Sequence, residues 1–182
     1  ETGDEAFAYR SYARLLSMYG RIVMGVDAAA FDEPLEAAKA AEGAADDAAL
    51  GAGSWKALCK DHKAAIRAGA RRPFPQDPVA QLRGAVEAVF RSWGGARAIA
   101  YREREHISHD LGTAVNVQAM VFGNRDDRSG TGVAFTRNAA TGEDVPYGDF
   151  LVNAQGEDVV AGVRITEPLA ALEERFPPIH AE

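Results

Sequence analysis

The sequence predicts an α+β fold, with helices in the first part of the chain and an antiparallel sheet in the second. Before Gly94 the apolar residues recur every three or four positions, which is the period of an amphipathic helix. After Gly112 the period becomes two, which is typical of a strand. Within the helical part, residues 72–78 contain three prolines, which resist continuation of a helix and indicate a boundary.

Three helices are predicted before the prolines. The first covers residues 9–23, and residues Phe31–Ala41 and Trp55–Ala68 repeat its period. The intervening residues Gly43–Gly53 are rich in glycine, alanine and aspartate, a composition typical of a surface connection. The side chains expected to face the core are Tyr12, Leu15, Leu16, Tyr19, Ile22, Val23, Phe31, Leu35, Ala38, Trp55, Leu58, Cys59 and Ile66.

A fourth helix is predicted after the proline-rich stretch. Asp77 can accept hydrogen bonds from the amides of the first turn, and Pro78 suits the first helical position. The glycine pair 94–95 is expected to end the helix. We place a boundary here, with a mainly helical subdomain at residues 1–76 and a sheet-bearing domain at residues 77–182. The predicted core-facing stripe of the fourth helix is Val79, Leu82, Val86, Val89, Phe90 and Trp93.

Three strands are predicted in the sheet-bearing domain. Residues Val115–Val121 alternate between two sets of side chains, and Gly132–Arg137 and Asp149–Ala154 are the further candidates. Turn-forming residues 138–147 separate the last two, so we expect an antiparallel sheet. A final helix is predicted over Thr166–Phe176, with Thr166 as its N-cap and Leu169, Leu172 and Phe176 facing inward.

Composition and charge exclude several classes of function. The 182 residues, 47% of them hydrophobic, can bury a core, and no run approaches the roughly 18 apolar residues of a membrane span. The net charge of -7 disfavours nucleic acid as a partner. The first residues lack the pattern of a secretory signal, and the single cysteine, Cys59, cannot form an internal disulfide. We therefore predict a cytoplasmic protein with neither a membrane nor a nucleic acid as partner.

Polar groups beside glycine-bearing turns make the second domain the candidate place for a ligand. The turn Ser129–Gly132 offers two hydroxyls and backbone amides, and Gln118 and residues 153–158 add polar side chains. Such turns are also ordinary hairpin connections, so a nucleotide cleft and a plain hairpin are both open interpretations. Glu157 and Asp158 could likewise bind a divalent metal or stabilise the start of a helix.

Other conspicuous residues are interpreted as structural. The basic pair 71–72 is followed at once by prolines, which favours a solvated turn over a phosphate contact. His106 and His109 have no third nearby ligand and no metalloprotease spacing, so a surface pair is expected. His62 and His180 have no serine or cysteine nucleophile at a diagnostic spacing, so no nucleophilic catalysis is predicted.

Longer blocks of sequence resemble the pyruvate, phosphate dikinase family. The most distinctive is residues 113–124, TAVNVQAMVFGN, and the others follow in the order found in that family. Residues 153–162, NAQGEDVVAG, favour the dikinase over phosphoenolpyruvate synthases, which usually differ there. The similar blocks are residues 7–12, 18–24, 85–93, 113–124, 129–138, 141–143 and 147–164.

The resemblance implies an incomplete part of an ATP-grasp fold, in which a nucleotide lies between lobes. Gln118 and Met120 match the segment that contacts adenine, Thr131 matches a turn near the phosphates, and Glu157 matches a position that faces the nucleotide. The enzyme would interconvert ATP, phosphate and pyruvate with AMP, diphosphate and phosphoenolpyruvate, using Mg2+ and a phosphohistidine on a swivelling domain. A separate pyruvate-binding domain and a homodimeric parent enzyme are implied as well.

The chain alone is expected to be catalytically inactive. None of its four histidines lies in the family's Thr-Ser-Gly-Gly-Met-Thr-Ser-His motif, so no catalytic residue is assigned, and no metal ligand is assigned either. In the family order, phosphate-binding Lys and Arg precede residue 1, and an Asp-x-Glu metal pair and a Gln-Thr-Arg segment follow residue 182. The alternatives are a stand-alone domain that binds a nucleotide or a protein without catalysis, and a structural core without affinity.

Overall fold

Helices occupy the first part of the chain and a small antiparallel sheet the second, which confirms the α+β prediction. The computed structural model describes residues 3–160 and 165–177. Two compact units are present, Glu1–Val117 and Gln118–Glu182. The division into subdomains at residues 76 and 77 stays a prediction. In the described ranges, no helix combines the length and the apolar character that crossing a bilayer requires.

The described part of the first unit contains five α-helices. Asp4 caps the first of them, because its carboxylate accepts a 2.9 Å hydrogen bond from the Phe7 amide. A 3-10 turn at Asp47–Ala49 lies in the glycine-, alanine- and aspartate-rich connection. The helices are α1 (Glu5–Ile22), α2 (Ala29–Glu42), α3 (Ala52–Ala70), α4 (Pro78–Ser92) and α5 (Ala96–Arg104).

The core of the first unit lies between α1, α2 and α3. Its fully buried side chains come from all three helices: Leu16, Phe31, Leu58 and Ile66. Trp55 and Cys59 are buried there too, as their helical spacing predicts. Two predicted core residues of α1 are wrong, because Leu15 is 37% exposed and Ile22 is 73% exposed.

Helix α4 begins as predicted but turns the opposite face inward. The Asp77 carboxylate accepts hydrogen bonds from the amides of Val79 and Ala80, and Pro78 is the first helical residue. The predicted stripe is largely exposed, with Val79 at 64% and Phe90 at 52%. The reason is that α4 approaches α1 through its smallest side chains, where Gly84 meets Tyr19.

The second unit is built on a three-stranded antiparallel sheet in the order β1-β2-β3. Its strands are β1 (Gly130–Phe135), β2 (Tyr147–Val152) and β3 (Glu167–Pro168). The first two begin two residues earlier than predicted. Short helices α6 (Gly156–Val160) and α7 (Leu172–Arg175) follow β2 and β3, with a 3-10 turn at Leu169–Ala171 before α7.

Two predictions for the second unit are wrong. Residues Val115–Val121 form no strand, because none of the described strands pairs with them and alternation alone provides no hydrogen-bonding partner. The helix predicted over Thr166–Phe176 is replaced by β3, the 3-10 turn and α7. Glu167 precedes a proline and is therefore biased towards extended backbone, so it pairs with Phe150 of β2 instead.

Candidate functional site

The hairpin of β1 and β2 positions Thr131, the residue predicted to lie near phosphates. Thr131 is paired with Leu151, and glycines precede and follow it on β1. A Cβ atom added to Gly132 would lie 2.8 Å from the Asp149 carbonyl oxygen, so β2 comes too close for a side chain there. The glycines of this turn are thus explained by strand packing, independently of any ligand.

The two hydroxyls of the turn differ in their hydrogen bonding. Ser129 donates from its hydroxyl to the Asp126 carboxylate at 3.1 Å, and the Arg128 amide donates to the same oxygen at 2.9 Å. These donors, the Arg128 amide first, hold the pKa of Asp126 below its ordinary value. Among the described residues, the Thr131 hydroxyl has no hydrogen-bond partner. Of the two predicted donors, Thr131 is therefore the one left for a ligand.

Helix α6 begins beside Thr131 and brings Glu157 to the same end of the sheet. A Cβ atom added to Gly156 would lie 3.9 Å from the Thr131 hydroxyl oxygen, and Glu157 is the next residue. Asp158 closes the start of α6, since its carboxylate accepts a 2.8 Å hydrogen bond from the Gln155 amide. The structural interpretation thus applies to Asp158, whereas the Glu157 side chain is exposed.

Gln118 and Met120 lie on the exposed segment before Gly123. Met120 is 57% exposed, and the Gln118 amide makes no hydrogen bond with any described residue. Gly123 joins this segment to the sheet, because its carbonyl oxygen accepts a 2.9 Å hydrogen bond from the Ala154 amide. The structure therefore brings Thr131 and Glu157 together, and connects Gln118 and Met120 to them through the backbone.

Gly123 is a residue that the sequence interpretation missed. A Cβ atom there would lie 2.4 Å from the Ala154 carbonyl oxygen and 2.5 Å from that of Gly130. Because both neighbours are backbone atoms, only glycine fits without displacing one of them. The available signal was an isolated glycine at the end of an alternating apolar run, which often indicates a close approach of two backbones.

An apolar cavity of about 290 Å3 lies next to Thr131 within the second unit. Its walls include Val133 of β1, Phe150 of β2 and Phe176 after α7, and Arg128 adds a guanidinium. The rings of Phe150 and Phe176 meet edge to face with centroids 6.4 Å apart. The volume is close to the lower limit of about 300 Å3 for small-molecule sites.

The described residues offer no assembled metal centre, and two of the histidines have identified neighbours. No three His, Cys, Asp or Glu side chains converge within residues 3–160 and 165–177. His62 is buried 3.2 Å from the Ala13 carbonyl oxygen, and burial lowers the pKa of its imidazole. His109 accepts a 3.1 Å hydrogen bond from Arg102. Both histidines therefore have structural hydrogen-bond neighbours.

Comparisons with known proteins agree on one kind of domain. The family model described as the AMP/ATP-binding domain of pyruvate phosphate dikinase matches residues 24–173. The chain is similar to three curated proteins named pyruvate, phosphate dikinase. It is 56% identical to that of Rhizobium meliloti (strain 1021) over 90% of this chain and 18% of the relative. It is 51% identical to that of Clostridium symbiosum over 97% of this chain and 20% of the relative.

The third relative, from Oryza sativa subsp. japonica, is named as chloroplastic. It is 51% identical over 100% of this chain and 19% of its own length. The chain thus spans about a fifth of the length of the curated relatives it matches.

Proposed function

The chain belongs to the pyruvate, phosphate dikinase family through its AMP/ATP-binding domain, and on that premise we propose that it forms one wall of a nucleotide site. In this proposal, the whole enzyme interconverts ATP, phosphate and pyruvate with AMP, diphosphate and phosphoenolpyruvate. The residues printed here contain no phosphohistidine motif. Their role is therefore to bind and orient the nucleotide, while a histidine on a separate swivelling domain carries the phosphoryl group.

The observation that carries the proposal is the surroundings of Thr131. Its hydroxyl has no partner within the described part of the chain, and the start of α6 with Glu157 lies beside it. An unsatisfied hydroxyl donor next to an apolar cavity suits a ligand that carries both a phosphate and a ring. In the proposal, Thr131 donates to a phosphate oxygen, and Glu157 faces the polar part of the nucleotide.

Gln118 and Met120 supply the adenine contacts in this proposal. A glutamine amide carries both a donor and an acceptor, and it can therefore pair with the exocyclic amine and a ring nitrogen of adenine. A methionine side chain is flexible and polarizable, which suits contact with an aromatic ring. The exposure of both residues is consistent with that role, because they would be covered only when the nucleotide binds.

Magnesium and the wider architecture follow from the same proposal. A bound Mg2+ would neutralise phosphate charge during transfer. The described carboxylates do not fit a resident site, since no three of them converge and Asp158 closes the start of α6. No step is therefore assigned to a metal held here. The sheet would belong to an ATP-grasp lobe in a homodimeric enzyme that also has a pyruvate-binding domain.

A reducing compartment such as the cytoplasm is also proposed, on the basis of the free, buried thiol of Cys59.

Calorimetric titration with AMP and with Mg-ATP tests the proposed roles separately. Gln118→Ala should weaken both nucleotides by about three- to tenfold, because each loses the same adenine hydrogen bonds. Thr131→Val keeps the shape of the side chain and should weaken Mg-ATP more than AMP. Val117→Ala is the matched control, since Val117 is 70% exposed on the same segment and offers no polar group.

The possible outcomes distinguish the functions. Equal losses for Gln118→Ala and Val117→Ala would contradict the adenine role. No heat with either nucleotide would refute binding by this chain. Nucleotide binding that the variants weaken as predicted, without phosphoryl transfer, would agree with the proposal. Turnover by this chain alone would overturn the assignment of the phosphocarrier to another domain.

A further inference from the structure

A cavity of about 470 Å3 lies within the first unit, between the end of α1, the proline-rich turn and one face of α4. None of the four residues assigned to the nucleotide lines this cavity. Its volume falls within the range of about 300–1,000 Å3 that is typical of small-molecule sites. Val23, Met24 and Val79 form its apolar part. The cavity can therefore accept an organic group as well as an ion.

Three guanidinium groups line the same cavity. Arg72 comes from the turn, and Arg83 and Arg91 lie two turns apart on α4. Neither Arg72 nor Arg83 has an ion-pair partner within the described part of the chain. The pair that Arg91 forms with Glu87 is long, at 3.7 Å, and both side chains are about 60% exposed, so it holds Arg91 weakly.

The acidic groups of the cavity do not neutralise these arginines. Asp77 is engaged by the amides of Val79 and Ala80, which it caps. Glu87 faces Arg91 alone. Two unpaired guanidiniums and a third that is weakly paired thus surround the cavity. Such a set favours a divalent anion, because each guanidinium can bind two oxygens of a phosphate at once.

Tyr19 provides an independent observation. Its side chain is buried, with 8% of its surface exposed, and its ring meets Phe74 edge to face at 5.3 Å. Its hydroxyl has no hydrogen-bond partner among the described residues, and its oxygen is not among their fully buried unpaired atoms, so it is open to a ligand. The hydroxyl lies against Gly84, whose lack of a side chain leaves room for it, and both residues line the cavity. The unpaired hydroxyl is thus directed at the same space as the arginines.

We propose that this cavity is a second binding site, specific for small organic phosphate monoesters. Arg72 and Arg83 bind the phosphate, and Arg91 joins them when it leaves Glu87. Tyr19 donates a hydrogen bond from the floor of the cavity, and the organic group packs against Val23 and its apolar neighbours. Arg72 belongs to the basic pair that the sequence interpretation assigned to a solvated turn. In this proposal Arg72 binds the phosphate of the ligand.

Phenyl phosphate is a suitable probe, because it joins a doubly charged phosphate to one apolar ring. Calorimetric titration of the whole chain in a phosphate-free buffer should give saturable binding that is tighter than that of inorganic phosphate. Arg83→Gln should weaken phenyl phosphate at least about tenfold, and Tyr19→Phe about two- to tenfold. Arg67→Gln is the matched control, since Arg67 is exposed on α3 outside the cavity, and it should leave the affinity unchanged.

Thr131→Val separates this site from the nucleotide site. In that variant the affinity for phenyl phosphate should be unchanged even where Mg-ATP binds more weakly. Loss of phenyl phosphate binding in Thr131→Val would mean that the probe occupies the nucleotide site, and would overturn the proposal. It is also overturned if no saturable binding occurs, or if Arg83→Gln and Tyr19→Phe match Arg67→Gln.

Discussion

Replacing Gly123 by alanine tests the attachment of the segment that carries Gln118 and Met120. The new Cβ atom would lie 2.4 Å and 2.5 Å from two carbonyl oxygens, and no side-chain rotation can relieve contacts with backbone atoms. Overpacking costs about 1–3 kcal/mol, and loss of the hydrogen bond from Ala154 adds about 0.5–1.5 kcal/mol. We therefore expect the local opening free energy to fall by about 2–4 kcal/mol, which corresponds to roughly 30- to 1,000-fold faster amide exchange.

Hydrogen exchange measured by mass spectrometry detects this local opening in the peptides that contain the affected amides. The informative amides are those of Asn153 and Ala154, which donate to Ser129 and Gly123. Gly112→Ala is the matched control, because a Cβ atom there meets nothing within 4 Å. Both tryptophans lie in the first unit, so tryptophan fluorescence should be unchanged in both variants. Exchange in Gly123→Ala within about threefold of the control would refute the reasoning.

Three further predictions concern the first unit. Gly20→Ala would place a Cβ atom against the buried Phe31 ring. Compared with a glycine-to-alanine change at an open helical position, it should lower the free energy of unfolding by about 1–3 kcal/mol, which chemical denaturation measures. Burial lowers the pKa of His62 below its ordinary value of 6.5. The free energy of unfolding should therefore be unaffected by His62 above about pH 6.5 and should fall as the pH drops below it, because the unfolded chain then binds the proton more readily. His62→Gln should flatten that pH dependence. Arg102→Lys should cost about 1–3 kcal/mol and change the emission of Trp93, because the guanidinium stacks 3.9 Å from its ring centroid.

Each of these predictions has a control in the same unit. Gly53→Ala removes a glycine from α3 where a Cβ atom meets nothing within 4 Å, and equal stabilities of the Gly20 and Gly53 variants would contradict the packing argument. The wild-type chain is the reference for His62→Gln, and an unchanged slope in that variant would show that His62 does not cause the pH dependence. Arg97→Lys alters an exposed arginine of α5, so a loss as large as that in Arg102→Lys would indicate a non-specific effect.

Local signals predicted helices α1 to α4 because the causes of those helices are local, whereas α5 was not predicted. Asp77 and Pro78 start α4 through hydrogen bonds and a backbone angle that involve only the next few residues. Which face of α4 turns inward depends on the partner, and no local signal shows that Gly84 meets Tyr19. The strand predicted at Val115–Val121 failed for the same reason, since a strand exists only when a second strand pairs with it.

The candidate site was predictable to a similar extent. The resemblance supplied Gln118, Met120, Thr131 and Glu157, and their roles stay predictions. From the residues alone, Ser129 and Thr131 were equivalent hydroxyl donors. Only the folded turn distinguishes them, because Asp126 accepts the hydrogen bond of Ser129. Gly123 escaped notice because its importance arises from the carbonyl groups of Gly130 and Ala154, which approach it only in the folded unit.

Helix α4 also determines how this protein should tolerate sequence variation. In most helices, the large apolar positions are the intolerant ones and the small residues can be replaced. In α4 that order is reversed: Gly84 and the buried Ala88 resist enlargement, whereas Val79 and Phe90, both more than half exposed, accept polar substitutes at little thermodynamic cost to this chain. A saturation-mutagenesis profile of folding should therefore show the 3.6-residue period in α4 shifted to its small side chains.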